Sequence, residues 1–236
     1  PEARETLLIR LEDPDQALSR EAAEALALQA DALDIKDVLD ILETVPQQSS
    51  PNVIRLLGRM GDHGAVKPLT AKLAWGSQEE RRVAATALGA IGDPLAVVPL
   101  VNVLGDSDIV LVERAVTALG RIGSTSATKA LVALLSAVGP VLSSTAFNSA
   151  EHRLAMDIVD ALGAIGDPAA ADVVLQLVDE GLTPCAELHA GPKAGCQWSL
   201  LAARREFALT LGSLGDPRAV KPLSRWARDG DMWATL

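Results

Sequence analysis

Aromatic residues make up only 3% of the 236 residues, and tyrosine is missing altogether. A core of stacked rings is therefore excluded. Alanine and leucine dominate instead, and small aliphatic side chains suit closely packed helices. Cysteine is scarce: two residues cannot form a disulfide framework, so a reducing, cytoplasmic setting is the expectation. Basic residues are outnumbered, 21 Lys and Arg against 31 Asp and Glu, for a net charge of −10. An acidic chain of this kind lacks the footprint that nucleic acid requires, and it is repelled by anionic lipid. Charged residues interrupt every helix-length window, so no membrane span is expected, and no secretory signal is visible.

Recognisable chemistry is equally thin. No glycine-rich phosphate loop follows a strand pattern, and no Ser/His/Asp or Cys/His set falls at a helpful spacing. The sequence therefore predicts no catalytic residue and no cofactor. His63, which follows Gly61-Asp62 at a helix start, reads as a surface or capping residue.

What the chain does have is a returning glycine. Leu57-Gly58-Arg59-Met60-Gly61-Asp62 recurs as Leu88-Gly89-Ala90-Ile91-Gly92-Asp93, then from Leu119, from Leu162 and from Leu211. The first, or marker, glycine stands at 58, 89, 120, 163 and 212, in steps of 31, 31, 43 and 49. A period near thirty residues is the signature of a solenoid, in which each unit buries its apolar face only against its neighbours. With 49% hydrophobic residues, the chain has enough apolar material for a continuous core.

Each unit reads as two helices, A and B. In the third unit Ser77-Gln78-Glu79-Glu80 opens helix A with a capping side chain and acidic residues in the first turn. Val83, Ala84, Ala87, Leu88 and Ile91 fall on one side at helical spacing. Gly92 ends the helix, and Asp93-Pro94 starts helix B, expected over Ala96 to Leu104 with Val97, Leu100, Val101 and Leu104 inward. Gly89 lies inside helix A, where glycine costs about 1 kcal/mol against alanine. Its recurrence predicts a packing role, expected to be the close passage of helix B.

The expected organisation is a single repeat domain over residues 1–236. Partial units at 1–13 and 231–236 bracket full units at 14–45, 46–76, 77–107, 108–149, 150–197 and 198–230. Thr6 to Asp13 reads as a helix B with no helix A before it. Together with a first residue, Pro1, that is not Met, this leads us to expect a piece cut from a longer repeat protein; natural half-repeat caps are the alternative.

Two steps exceed the period, by twelve and by eighteen residues. The surpluses fall near 138–149 and 181–197, both after a helix B, and are expected to project from one edge. Such insertions serve as binding elements or arise from tolerated loop drift. Phe147 in the first is a candidate partner contact. The second holds Cys185, His189 and Cys196. Three soft ligands fall short of the four that a structural zinc site needs, a Cys185–Cys196 disulfide requires an oxidising compartment, and two free thiols are the remaining reading.

Ala87 to Leu100, reading Ala-Leu-Gly-x-Ile-Gly-Asp-Pro with Ala-Val-x-Pro-Leu, and Arg218 to Leu223 resemble the HEAT-like repeat of the phycobilisome (PBS) lyase type. The likeness covers nearly the whole chain. It implies an all-α, right-handed α-solenoid of the armadillo/HEAT class whose B helices line the concave face, where partners dock. The family's arginine eight residues before the marker glycine is matched here by Arg81 and Arg204, but by Ser50, Val112 and Ala155 elsewhere. The family pattern leaves three solvent-facing columns on the B helices. The first column holds Lys36, Lys67, Val98, Lys129, Asp172 and Lys221. Asn102, Gln176 and Arg225 belong to the second, and Arg228 to the third. All of these except Val98 are the candidate contacts for a protein partner. The resemblance also carries an alternative activity, a bilin lyase or lyase subunit acting on phycobiliproteins. HEAT-like iron hydroxylases use His-Glu pairs, and here only Glu151-His152 is present, in reverse order.

Overall fold

In the computed structural model, the residues described are 2–30, 33–138, 149–181 and 205–228. They form helices joined by turns, with no strand among them. The helices are α1 (Glu2–Leu11), α2 (Gln16–Ala27), α3 (Ile35–Thr44), α4 (Ser50–Met60), α5 (Val66–Trp75), α6 (Gln78–Ile91) and α7 (Val97–Asn102). They continue as α8 (Ile109–Ile122), α9 (Thr128–Val138), α10 (Ala150–Ile165), α11 (Ala171–Gly181), α12 (205–214) and α13 (Val220–Arg228). Even-numbered helices are the A helices of the repeat and odd-numbered ones the B helices. This is the all-α architecture of an armadillo/HEAT-type solenoid. The chain divides into two compact units, Pro1–Ile122 and Gly123–Leu236.

The recurring hexapeptide acts as punctuation. Gly92 takes a left-handed φ of 76°, and its N–H donates to the Leu88 carbonyl at 3.1 Å, closing α6. Asp93 then accepts from the Leu95 N–H at 2.8 Å, and Pro94 occupies a position where a missing N–H costs nothing. Asp62, Asp167 and Asp216 repeat this cap on Gly64, Ala169 and Arg218. The copy with serine departs from it: Ser124 makes no cap bond and pairs with the Ser126 hydroxyl instead.

The caps alter one expected boundary. Helix B of the third unit opens as a 3₁₀ turn, Pro94–Ala96, and becomes α-helical only over α7. Val97, Leu100 and Leu104 are buried as expected, while Val101 is half-buried. Helix α6 has the expected inward set, and Ser77 with Glu80 forms a reciprocal capping box.

In the first unit each A helix packs on the next A helix, α2 on α4, α4 on α6 and α6 on α8. Each B helix packs on the A helix that follows it, as α5 does on α6. Leu57, Leu69, Leu88, Leu100 and Leu119 are fully buried between them, each worth roughly 1.5–3 kcal/mol.

The marker glycine serves a contact other than the one expected. A Cβ at Gly58 would lie 2.8 Å from the Cα and Cβ of Ala87, and one at Gly89 2.6 Å from those of Ala118. In the second unit Gly163 faces Thr210 in the same way. The close neighbour is thus the next A helix, at the residue two before its own marker glycine, and not helix B. Helix axes approach this closely only where one side offers no side chain.

Polar ties fix the stacking further. Ser50 of α4 and Lys72 of α5 both reach Glu80 Oε1 of α6, each at 2.7 Å, and Glu80 is only 3% exposed. Burial raises the Glu80 carboxyl, but the bonds from Lys72, Ser50 and Ser77 outweigh that and hold it down at about 2. Arg81, the family's arginine, donates to the Leu73 carbonyl that ends α5 and to Asp106 at 2.6 Å.

Candidate functional site

Two surfaces of the first unit carry unspent chemistry. The first is the B-helix face. Lys36 and Lys67 stand exposed on α3 and α5, and neither has an ion-pair partner among the described residues. Beside them Ala71 and Ala74 are exposed, Trp75 is 89% exposed at the end of α5, and Val98 and Asn102 are exposed on α7. In the second unit Lys129, Asp172, Gln176 and Lys221 are likewise exposed on their B helices. Asp172 is not idle, because Arg218 grips it at 2.7 Å while also holding Asp216.

The second surface lies on the A helices and was not foreseen. A groove of about 490 Å³ runs over α4, α6 and α8. Gly58 and Ala87, where α4 and α6 approach one another, line it together with Ala90. Val83, Thr86 and Val110 also line it, its walls are Arg55, Arg59, Arg82 and Arg114, and Glu79 is the one lining carboxylate among the described residues. Arg55 is braced by Asn52 Oδ1 and Glu79 Oε1, both at 2.9 Å. Arg82 donates from Nε and Nη2 to the two oxygens of Asp108, at 2.7 and 2.8 Å, a planar fork-to-carboxylate pair. Its hydrogen bonds hold the Asp108 carboxyl below the usual carboxylate range. Arg59 and Arg114 are exposed and have neither a carboxylate nor a hydrogen-bond partner among the described residues.

The A helices of the second unit carry the opposite sign. Asp160 and Asp157 of α10 lie with Glu206 of α12. Desolvation, the hydrogen bond with Glu206 and the charges of Glu206 and Asp157 push the Asp160 carboxyl up to about 7.

Comparison with known proteins agrees with this architecture. HEAT repeats match residues 66–150, and the PBS lyase HEAT-like repeat matches residues 155–180 and 203–225. HEAT-type repeats are thus present in the chain over these stretches. No curated protein matches the chain in sequence. Among solved structures, an engineered protein of the Northeast Structural Genomics Consortium is 22% identical with a TM-score of 0.55, over 88% of this chain and 97% of that one. A second engineered protein from the same consortium is 20% identical with a TM-score of 0.52, over 98% and 65%. The complex of CpcE and CpcF of phycocyanin lyase from Nostoc sp. PCC7120 is 20% identical with a TM-score of 0.45, over 89% and 94%. At these identities the likeness concerns fold alone.

The candidate contact Phe147, and Cys185, His189 and Cys196, which fell short of a zinc site, lie outside the described residues. Of Arg225 and Arg228 only the helical backbone of α13 is described. No metal-holding group of His, Cys, Asp or Glu occurs among the described residues, and no described helix is long and apolar enough to cross a membrane. His63, read as a surface or capping residue, is exposed and meets the cap Asp93 of the next repeat at 2.7 Å.

Sequence reasoning missed the arginine groove because it counted columns only on the B helices. A signal was available: α4, α6 and α8 together hold Arg55, Arg59, Arg81, Arg82, Arg114 and Arg121 against Glu79, Glu80 and Glu113. That is a local inversion of sign within an acidic chain.

Proposed function

We propose that this chain is a protein-interaction scaffold whose B-helix faces receive a protein partner. The observation that supports it is the pair of exposed, unpaired lysines, Lys36 and Lys67, beside small side chains and an exposed tryptophan. Unpaired charge and accessible apolar area side by side are what a protein interface uses. Trp75 is the natural anchor, since aromatic side chains dominate binding energy where they become buried. A lysine is a mobile point charge on a flexible stem, and it selects for acidic or mixed-charge segments without demanding a fixed geometry.

The test is affinity capture from native extract with the wild-type chain and a Lys67→Glu/Lys129→Glu/Lys221→Glu variant of unchanged helicity. A partner held by the wild type and released by the variant supports the reading. A partner held equally by both removes it from the lysines. It then transfers recognition to the surplus segments near 138–149 and 181–197, which a version shortened to the 31-residue period examines directly.

The PBS lyase HEAT-like match favours one second reading, a bilin lyase or lyase subunit acting on phycobiliproteins. Added bilin would then shift its visible band on binding; no shift at micromolar protein removes that reading.

A further inference from the structure

We infer that the groove over α4, α6 and α8 is a docking site for an extended acidic segment of a partner protein, with two carboxylates of that segment seated on Arg59 and Arg114. This surface is separate from the B-helix face, and it stands whether or not that face binds anything.

Charge is the first argument. Four guanidiniums face a single lining carboxylate in a chain whose net charge is −10, so the groove attracts what the rest of the surface repels. The second argument is how the arginines are committed. Arg55 and Arg82 are fixed by Asn52, Glu79 and Asp108, and they form ordered walls. Arg59 and Arg114 line the same groove with their donors unspent among the described residues. A guanidinium presents paired N–H groups that match a carboxylate in two parallel bonds.

The lining supplies the third argument. Gly58, Ala87 and Ala90 present small surfaces beside Val83, Thr86 and Val110, so over the glycine and the alanines an incoming backbone can lie close to the helices. About 490 Å³ falls within the range of pockets that enclose a small ligand or a few residues. With Arg55 and Arg82 already committed, only Arg59 and Arg114 are left to neutralise a ligand, which disfavours a polyphosphate, since that needs a continuous basic track.

The experiment is a fluorescence-anisotropy titration of the full chain with fluorescein-labelled hexaglutamate. Wild type, Arg59→Glu/Arg114→Glu and, as a control of equal charge change, Arg10→Glu/Arg20→Glu are compared, with circular dichroism to verify that each is folded; Arg10 and Arg20 are exposed on α1 and α2 and do not line the groove. The expected result is saturable binding, weakened about tenfold or more by the groove pair and changed less than about twofold by the control pair. Equal binding by wild type and the groove variant overturns the proposal. So does an equal loss in the control variant, which would mean that the peptide follows net charge alone. Short oligothymidine is titrated in parallel; tighter binding of it than of the peptide, lost in the groove variant, would make the groove a phosphate site and overturn the proposal as well. Should the double charge reversal not fold, Arg59→Gln and Arg114→Gln are used singly, and each is expected to weaken the peptide by several-fold.

Discussion

The A helices of the two units occupy the same place in the repeat and carry opposite charge. Three residues before the marker glycine, α4 has Arg55 and α10 has Asp160. Six before it, α8 has Arg114, whereas α10 and α12 have Asp157 and Glu206. The same contrast reaches the carboxyls. Glu80 of the first unit is surrounded by donors and held at about 2, while Asp160 of the second sits among carboxylates and is raised to about 7. The repeat dictates which positions the core needs, namely the leucines, the glycines and the capping aspartates. It leaves the remaining A-helix positions free, and those are where the two units diverge.

Breaking the donor cluster has the largest expected effect. Glu80→Gln removes a carboxylate lowered from 4.5 to about 2, a shift equivalent to roughly 3 kcal/mol. Because the folded-state value lies below the unfolded one, this stability is complete above about pH 4.5 and is lost as pH falls toward 2. Urea unfolding at neutral and acid pH reads it: the variant loses stability at pH 7 and shows a flatter dependence below pH 4.5.

Gly58→Ala comes next. Its methyl would meet the Ala87 backbone at 2.8 Å, and forcing α4 from α6 costs about 1–3 kcal/mol, more than the roughly 1 kcal/mol that alanine returns to a helix. A lower urea midpoint together with weaker hexaglutamate binding is expected. A midpoint at or above wild type would mean that the A helices part without cost.

Asp160→Asn tests the acidic side, with the sign reversed. A carboxyl raised above its unfolded value makes the folded state less stable as pH climbs from about 4 to about 7. The amide should therefore stabilise the chain by about 1 kcal/mol at pH 8, discounted because the side chain is solvent-exposed, and by nothing near pH 4. A gain that is the same at both values would assign the effect to packing instead. The smallest effect belongs to Ser124→Asp, which restores the cap found in the other copies and should add about 0.5–1 kcal/mol, measured as a rise in melting temperature.

The legible part of this molecule is the part fixed by local chemistry. Gly92-Asp93-Pro94 announces a helix end, a cap and a new helix because each residue acts on its immediate neighbours. The inward set of α6 follows from helical periodicity in the same way. The marker glycine shows where reading becomes harder: its packing role was visible, but its partner was expected on helix B and proved to be the next A helix. Which helix comes close is decided by the way repeats stack, and no residue within a single repeat encodes it. The arginine groove was hidden for the same reason. Its members stand at four different offsets, −3, +1, −7 and −6 from the marker glycines of their own repeats, so no column collects them. Only the apposition of α4, α6 and α8 does.

The left-handed turns have one further consequence. Gly61 and Gly92 have positive φ, yet a Cβ at either would find nothing within 4 Å. There is room for a side chain at these turns, and chirality alone forbids it. A D-alanine introduced at Gly92 by chemical ligation would find the φ its handedness prefers, with fewer unfolded conformations to give up, where L-alanine would be strained. The repeat is thus punctuated by residues selected for handedness and not for size, and a mirror-image monomer could replace them where the natural alphabet offers only glycine.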